Sequence, residues 1–225
     1  MEHPFLKTLS RVEKSVEKLN AFLRQARTMA ESGEMDMAFH TSLRAADAAE
    51  RTVLLARALP AYTGNPTAAD RIEALTQSHI PVDAGFTAEG WFSVRLPLLL
   101  PKKETGSAGY VRSFLYPALR EFFHGKLPVR YRDCVLIYRH VYSRSRPERK
   151  KRDHDNIETN MVSDIVALYV MEDDAPSLCS HYECSAAANR ERTEIYVVPK
   201  KEFPAWLEVE KSMPEEGVML YESCP

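Results

Sequence analysis

Two aspartates one residue apart, Asp153 and Asp155, close a run of four consecutive cations, Arg149, Lys150, Lys151 and Arg152. Arg139, Arg144 and Arg146 precede the run, Asn156 follows it, and Glu172-Asp173-Asp174 comes after the next apolar-periodic stretch. Crowded carboxylates repel one another, and a bound cation is the natural way to keep them all ionised. Magnesium takes oxygen ligands, usually one or two carboxylates with waters and a substrate phosphate, and manganese accepts the same donors. Such an ion polarises a phosphodiester and generates or orients a hydroxide nucleophile. Arg146, Arg149, Lys150, Lys151 and Arg152 would grip backbone phosphates, each contact releasing about one counterion. His154, between the aspartates, could serve as a base or touch phosphate, or simply be an exposed spacer.

Each piece also has a plain structural account. Asp155 with Glu158 three residues on reads as a capping box. Asp153 reads as an acid near a helix N-terminus, where negative charge is favoured. The cations could be a solvated loop and the later acids a polar turn. The compound order is what favours chemistry: cations, Asp-Xaa-Asp, Asn, helix, acidic pair.

The elements that must position these residues follow from periodicity. Phe5, Leu9, Val12, Val16, Leu19, Leu23 and Ala26 step by three or four, predicting a helix over about 5–29. A second, alanine-rich helix is expected over about 35–59, ended by Pro60 and the Thr63-Gly64-Asn65-Pro66 cluster. The two should form an antiparallel hairpin with apolar surface left for a second copy or another protein. A short helix near 69–76 and a Pro/Gly-marked connection follow. Strands are expected at 91–100, 132–142, 177–187 and 193–198, and helices at 110–123 and 156–169. The result is an α+β chain, a helical hairpin followed by a β-α-β-α-β-β mixed sheet with helices. The expected division is 1–82, 83–200 and 201–225, the last an edge helix with a loose tail.

The 225 residues carry 30 basic and 32 acidic side chains, a net charge of −2, so bulk charge does not mark a nucleic-acid binder and local patches must. The first twenty residues mix charge with apolar character, unlike a signal peptide. No apolar run spans a bilayer, so a cytoplasmic protein is expected. Cys134, Cys179, Cys184 and Cys224 show no zinc spacing and suit free thiols in a reducing compartment. His124, His140 and His181 belong to no recognisable motif, and eight glycines supply no P-loop or Rossmann pattern.

Arg152-Asp153-His154-Asp155-Asn156, the apolar-faced helix and Asp173-Asp174 resemble the RusA-like family of Holliday junction resolvases, endonucleases of phages and other mobile DNA. The match covers roughly 91–198, about half the chain. The resemblance implies a homodimer that acts in DNA recombination and repair, binding four-way junctions and cutting them symmetrically with magnesium. It implies that Asp153, Asp155 and Asp174 are the metal-binding catalytic acids, with Asp173 and Asn156 beside them. Thr159 stands where the family commonly places a lysine. The rival expectation is therefore a domain that has lost cleavage and binds nucleic acid or scaffolds in a mobile element. Asp174 poses a geometric question too. A helix over 156–169 is about 21 Å long. Asp174 then reaches the other aspartates only if that helix is shorter, the chain doubles back, or a partner subunit supplies it.

Overall fold

The computed structural model describes residues 3–104, 106–126, 129–148 and 151–223, with backbone alone at 69, 77 and 78. The chain divides into two compact units, residues 1–74 and 75–225.

The first unit is the expected hairpin, α1 (Pro4–Glu31) packed on α2 (Met35–Ala58). Pro4 sits in the first turn of α1, where its missing N–H costs nothing, and His3 Nδ1 accepts from the Phe5 N–H at 3.2 Å. Gly33 turns the chain at φ 81°, a conformation that suits glycine just past a helix end. The seam is thin and partly polar. Thr8, Ala38, Thr41, Ala45 and Ala48 are its buried residues, and the Ser15 and Thr52 hydroxyls meet at 2.7 Å. Leu6, Val16 and Leu23 are exposed. The inward face of α1 runs instead through Thr8, Leu9, Val12, Ser15, Leu19 and Phe22. A short 3-10 turn (Leu59–Thr63) ends at Gly64, and α3 (Ala68–His79) follows.

The second unit is a five-stranded mixed sheet: β1 (Asp83–Phe86), β2 (Phe92–Leu96), β3 (Cys134–Ser143), β4 (Cys179–Ala188) and β5 (Arg192–Pro199), in the order β1-β2-β5-β3-β4. Only β3 and β4 run parallel. Parallel neighbours require a crossover, supplied here by α5 (Asn160–Val170). On one face Phe92, Val94, Leu96, Leu136, Tyr138, Ile195 and Val197 pack against α5 and α4 (Ser107–Phe122). On the other, Val135, Ile137, Tyr196 and Val198 pack against Trp206 of α6 (Phe203–Lys211). Burial on both faces explains why β3 reads as a nearly continuous hydrophobic run.

Three expectations are corrected. The helix after the aspartates begins at Asn160, not Asn156. His154–Asn156 form a 3-10 turn, and Ile157 is extended (φ −97°, ψ 141°) and bridges to Lys102. The Lys103 N–H donates to the Asn156 carbonyl at 2.8 Å and the Glu158 N–H to the Pro101 carbonyl at 2.9 Å, so a ladder claims backbone that a helix would need. The capping role passes from Asp155 to Glu158, whose Oε1 accepts from the Met161 N–H at 3.3 Å. Second, part of the segment read as a connection is β1. Third, the C-terminal segment is docked: Phe86 and Tyr221 exchange two backbone hydrogen bonds, each 2.8 Å, at the sheet edge.

Candidate functional site

The Asp153-His154-Asp155 turn follows β3, past the carboxyl end of the parallel pair β3–β4, where open α/β sheets commonly place their ligands. Asp153 is extended (φ −66°, ψ 136°), its carbonyl accepts from the Asn156 N–H, and its side chain makes no capping bond. The Asp153, Asp155 and Asn156 side chains are exposed. His154 is half-buried and turned inward, with Nε2 3.0 Å from the Ser185 hydroxyl of β4. The turn is thus tied to the sheet through its histidine and presents both carboxylates to solvent.

The cations around it are largely engaged. Arg146 clasps Glu191 through Nε–Oε1 at 2.5 Å and Nη2–Oε2 at 2.9 Å. Lys151 pairs with Glu148 at 2.6 Å, and Arg144 with Glu215 at 2.6 Å. Arg152 turns its guanidinium to the Leu100 carbonyl, while its N–H donates to the Tyr142 hydroxyl at 3.2 Å. Arg149 and Lys150 lie outside the described residues. Arg139 is 7% exposed on the opposite face of the sheet, bonded to Glu194 and Glu210.

Asp173 and Asp174 stand at the other end of α5. The Asp174 N–H donates to the Asp173 carboxylate at 2.8 Å, and both side chains are exposed. The charge of Asp174 acts on His181, whereas His154 meets Ser185. These two β4 positions are four residues apart, about 13 Å along the strand. Asp153, His154 and Asp155 share one turn, and Asp174 follows the opposite end of α5. Among the described residues, no three His, Cys, Asp or Glu side chains are arranged to hold a metal ion. Magnesium can be held by one or two carboxylates with waters and substrate phosphate. Asp153 and Asp155 fit that smaller donor set, and a three-aspartate cluster does not form.

Thr159 is 8% exposed, and its carbonyl accepts from the Tyr138 hydroxyl at 3.1 Å. A lysine at that position would start from a buried backbone, which accounts physically for a small residue there.

Two groupings escaped the sequence. His140 of β3 is completely buried, and its Nε2 lies 3.5 Å from Glu183 Oε2 on β4. Neither ring nitrogen of His140 has a hydrogen-bond partner, nor does Glu183 Oε2. The His140 ring lies 5.3 Å, centroid to centroid, from that of His154. The one sequence signal was a histidine in the core-facing series Leu136, Tyr138, His140, Tyr142. The second grouping is Cys134 beside Cys179, directly paired across β3 and β4. A hydrogen bond from Cys134 and another from His181 hold the Cys179 thiol low, at about 5, and the same partnership with burial pushes Cys134 up. His181 is raised by Cys179.

No helix among the described residues is long and apolar enough to cross a membrane. A family model described as a family of unknown function, DUF6100, matches residues 1–223. No curated protein matches the sequence. The chain belongs to the DUF6100 family.

Proposed function

We propose that the sheet unit processes branched DNA, hydrolysing phosphodiesters in a magnesium- or manganese-dependent reaction centred on Asp153 and Asp155. One observation carries this reading: both carboxylates of a two-residue-spaced pair are exposed at the carboxyl end of the parallel strands, on a turn anchored by His154. Asp153 and Asp155 would hold the ion. When bound, it would supply Lewis-acid stabilisation of charge developing on the phosphodiester. Asn156 lies beside them, its backbone fixed by Lys103, and orients the turn. Arg152 and Lys151 border the turn and would approach the DNA backbone, Lys151 by exchanging Glu148 for phosphate. A homodimer in the cytoplasm belongs to the reading, since a two-fold junction is matched by a two-fold protein.

A second reading is favoured by a specific observation. Asp174 does not join the other aspartates in the chain, and Arg146 is committed to Glu191. A domain so built could bind junction DNA without cutting it. The test is cleavage of a synthetic four-way junction in magnesium or manganese by the wild type and by Asp155→Asn. Symmetric nicking lost in the variant supports the nuclease. Binding without nicking moves the protein to the second reading, and neither binding nor nicking overturns both.

A further inference from the structure

We propose that Cys134 and Cys179 form a redox-active dithiol in which Cys179 attacks hydrogen peroxide and Cys134 resolves the product as a disulfide. The pair stands at the amino ends of β3 and β4, whereas the Asp153 turn follows the carboxyl end of β3. It does not rest on nuclease activity.

Cys134 opens β3, Cys179 opens β4, and the parallel register pairs them directly. Neighbouring strands stand about 4.8 Å apart, within the range of about 4.4–6.8 Å found between the α-carbons of a disulfide. Both side chains join the core beneath α4 and α5, so they leave the sheet on the same face. A hydrogen bond joins the two sulfurs, and both are free thiols. Two thiols in contact with no bond between them are one oxidation away from a crosslink. Cys184 packs on the opposite face with Trp206 and its neighbours, so it does not compete for Cys134.

Exposure and charge divide the roles. Cys179 is 6% exposed on the edge strand, and Cys134 is 1% exposed on the strand inside it, so a small oxidant meets Cys179 first. The hydrogen bonds from Cys134 and His181 favour the Cys179 thiolate, which is the nucleophilic form. The bond to Cys179 and burial keep Cys134 a protonated thiol. His181 is exposed, and its partnership with Cys179 favours the imidazolium, supported by the charges of Glu183 and Asp174. The Cys179 thiolate attacks one peroxide oxygen and the O–O bond breaks. The departing oxygen takes the His181 proton and leaves as water, and Cys179 becomes a sulfenic acid. The Cys134 sulfur then attacks the Cys179 sulfur. The S–S bond forms, the S–O bond breaks, and the hydroxyl leaves as a second water with the Cys134 proton. Two cysteines are oxidised to one disulfide as one peroxide is reduced to two waters. A low-molecular-weight thiol restores the dithiol by exchange, itself ending as a disulfide.

The experiment treats reduced, desalted full-length protein with one equivalent of hydrogen peroxide at neutral pH. Thiol titration should show two thiols lost per chain, and digestion with mass spectrometry should link Cys134 to Cys179. The reaction should run at least roughly tenfold faster than that of free glutathione, because an unperturbed thiol is only a few per cent ionised at neutral pH. Cys134→Ser should stop at the sulfenic acid, trapped on Cys179 by dimedone. Cys179→Ser should slow peroxide consumption by at least roughly tenfold. Cys184→Ser should leave rate and linkage unchanged. The linkage is read on the wild type, so it stands even if a core variant folds poorly; far-ultraviolet circular dichroism checks the variants. Retention of both thiols in the wild type overturns the proposal. So does a disulfide from Cys179 to Cys184 or Cys224, a rate no faster than that of glutathione, or dimedone trapped on Cys134.

Discussion

The Arg146 guanidinium closes on Glu191 through two parallel bonds, Nε to Oε1 at 2.5 Å and Nη2 to Oε2 at 2.9 Å, joining the end of β3 to the β4–β5 turn. The Arg146 hydrogen bond holds the Glu191 carboxyl below the usual carboxylate range. A depressed carboxylate adds stability that is present above its unfolded value, near 4.5, and is lost as pH falls through the lower folded value. Glu191→Gln should therefore cost about 1 kcal/mol at neutral pH, the scale of a bidentate charged pair at a partly exposed site. Urea midpoints at several pH values check this. The gap between wild type and variant should close below pH 4, and a gap constant across pH would show that the ion pair contributes nothing.

Glu194 raises the opposite issue, since it is fully buried on the face covered by α6. It accepts from Arg139 at 3.1 Å, Arg192 at 2.6 Å and the Tyr196 hydroxyl at 2.9 Å. Arg139 and Arg192 are themselves 7% and 6% exposed. Removing the carboxylate leaves two buried guanidiniums without their shared counter-charge, so Glu194→Ala should cost about 3–5 kcal/mol. Equilibrium denaturation would measure it. A loss under 1 kcal/mol would mean that water reaches the network and solvates the arginines.

Elements with a strong period were legible in the sequence, and elements made by remote partners were not. The apolar steps of α1, α4 and α5 mark themselves because each helix buries one stripe, and the runs of β3 and β5 do so because both faces of those strands are covered. β1 has four residues, one of them Gly85, and exists because β2 and Tyr221 flank it; nothing within it signals a strand. The start of α5 moved from Asn156 to Asn160 because residues 101–103 claim the intervening backbone, a contact some fifty residues away in sequence. The same holds at the candidate site. Asp153 and Asp155 stand out by spacing alone, whereas His140 and Glu183 meet only through the parallel register of two strands separated by a helix. The engagement of Arg146 is equally non-local, and a cation run in sequence does not distinguish free charges from paired ones.

Gly85 tests the docking of the C-terminal segment. A Cβ there would lie 2.7 Å from the Tyr221 carbonyl oxygen and 2.9 Å from Leu220 Cβ, both too close. Gly85→Ala must push the segment away from β1 or distort the strand, at about 1–3 kcal/mol. Because the segment also receives the Arg95 guanidinium at the Val218 carbonyl, 2.5 Å away, its release should be local. Limited proteolysis followed by mass spectrometry should show early cleavage near 214–221 in the variant and not in the wild type. Equal cleavage in both would mean the segment is already undocked in solution.

Asp174 decides where the proposed reaction is centred. In the chain it follows the end of α5 opposite the Asp153–Asp155 turn, and among the described residues it joins no group of three side chains arranged to hold a metal ion. A centre made by Asp153 and Asp155 alone should lose junction cleavage by at least roughly a hundredfold in Asp155→Asn, as when one stabiliser of developing charge is removed. Asp174→Asn should then retain cleavage within a few-fold. If a partner subunit instead supplies Asp174, each variant is inactive alone. Mixing Asp155→Asn with Asp174→Asn subunits then restores part of the activity, because one site in a mixed dimer draws both intact residues. Single-turnover assays of each variant and of the mixture distinguish the two. Restoration by mixing would overturn the single-chain centre, and full activity of Asp174→Asn would exclude Asp174 from the chemistry.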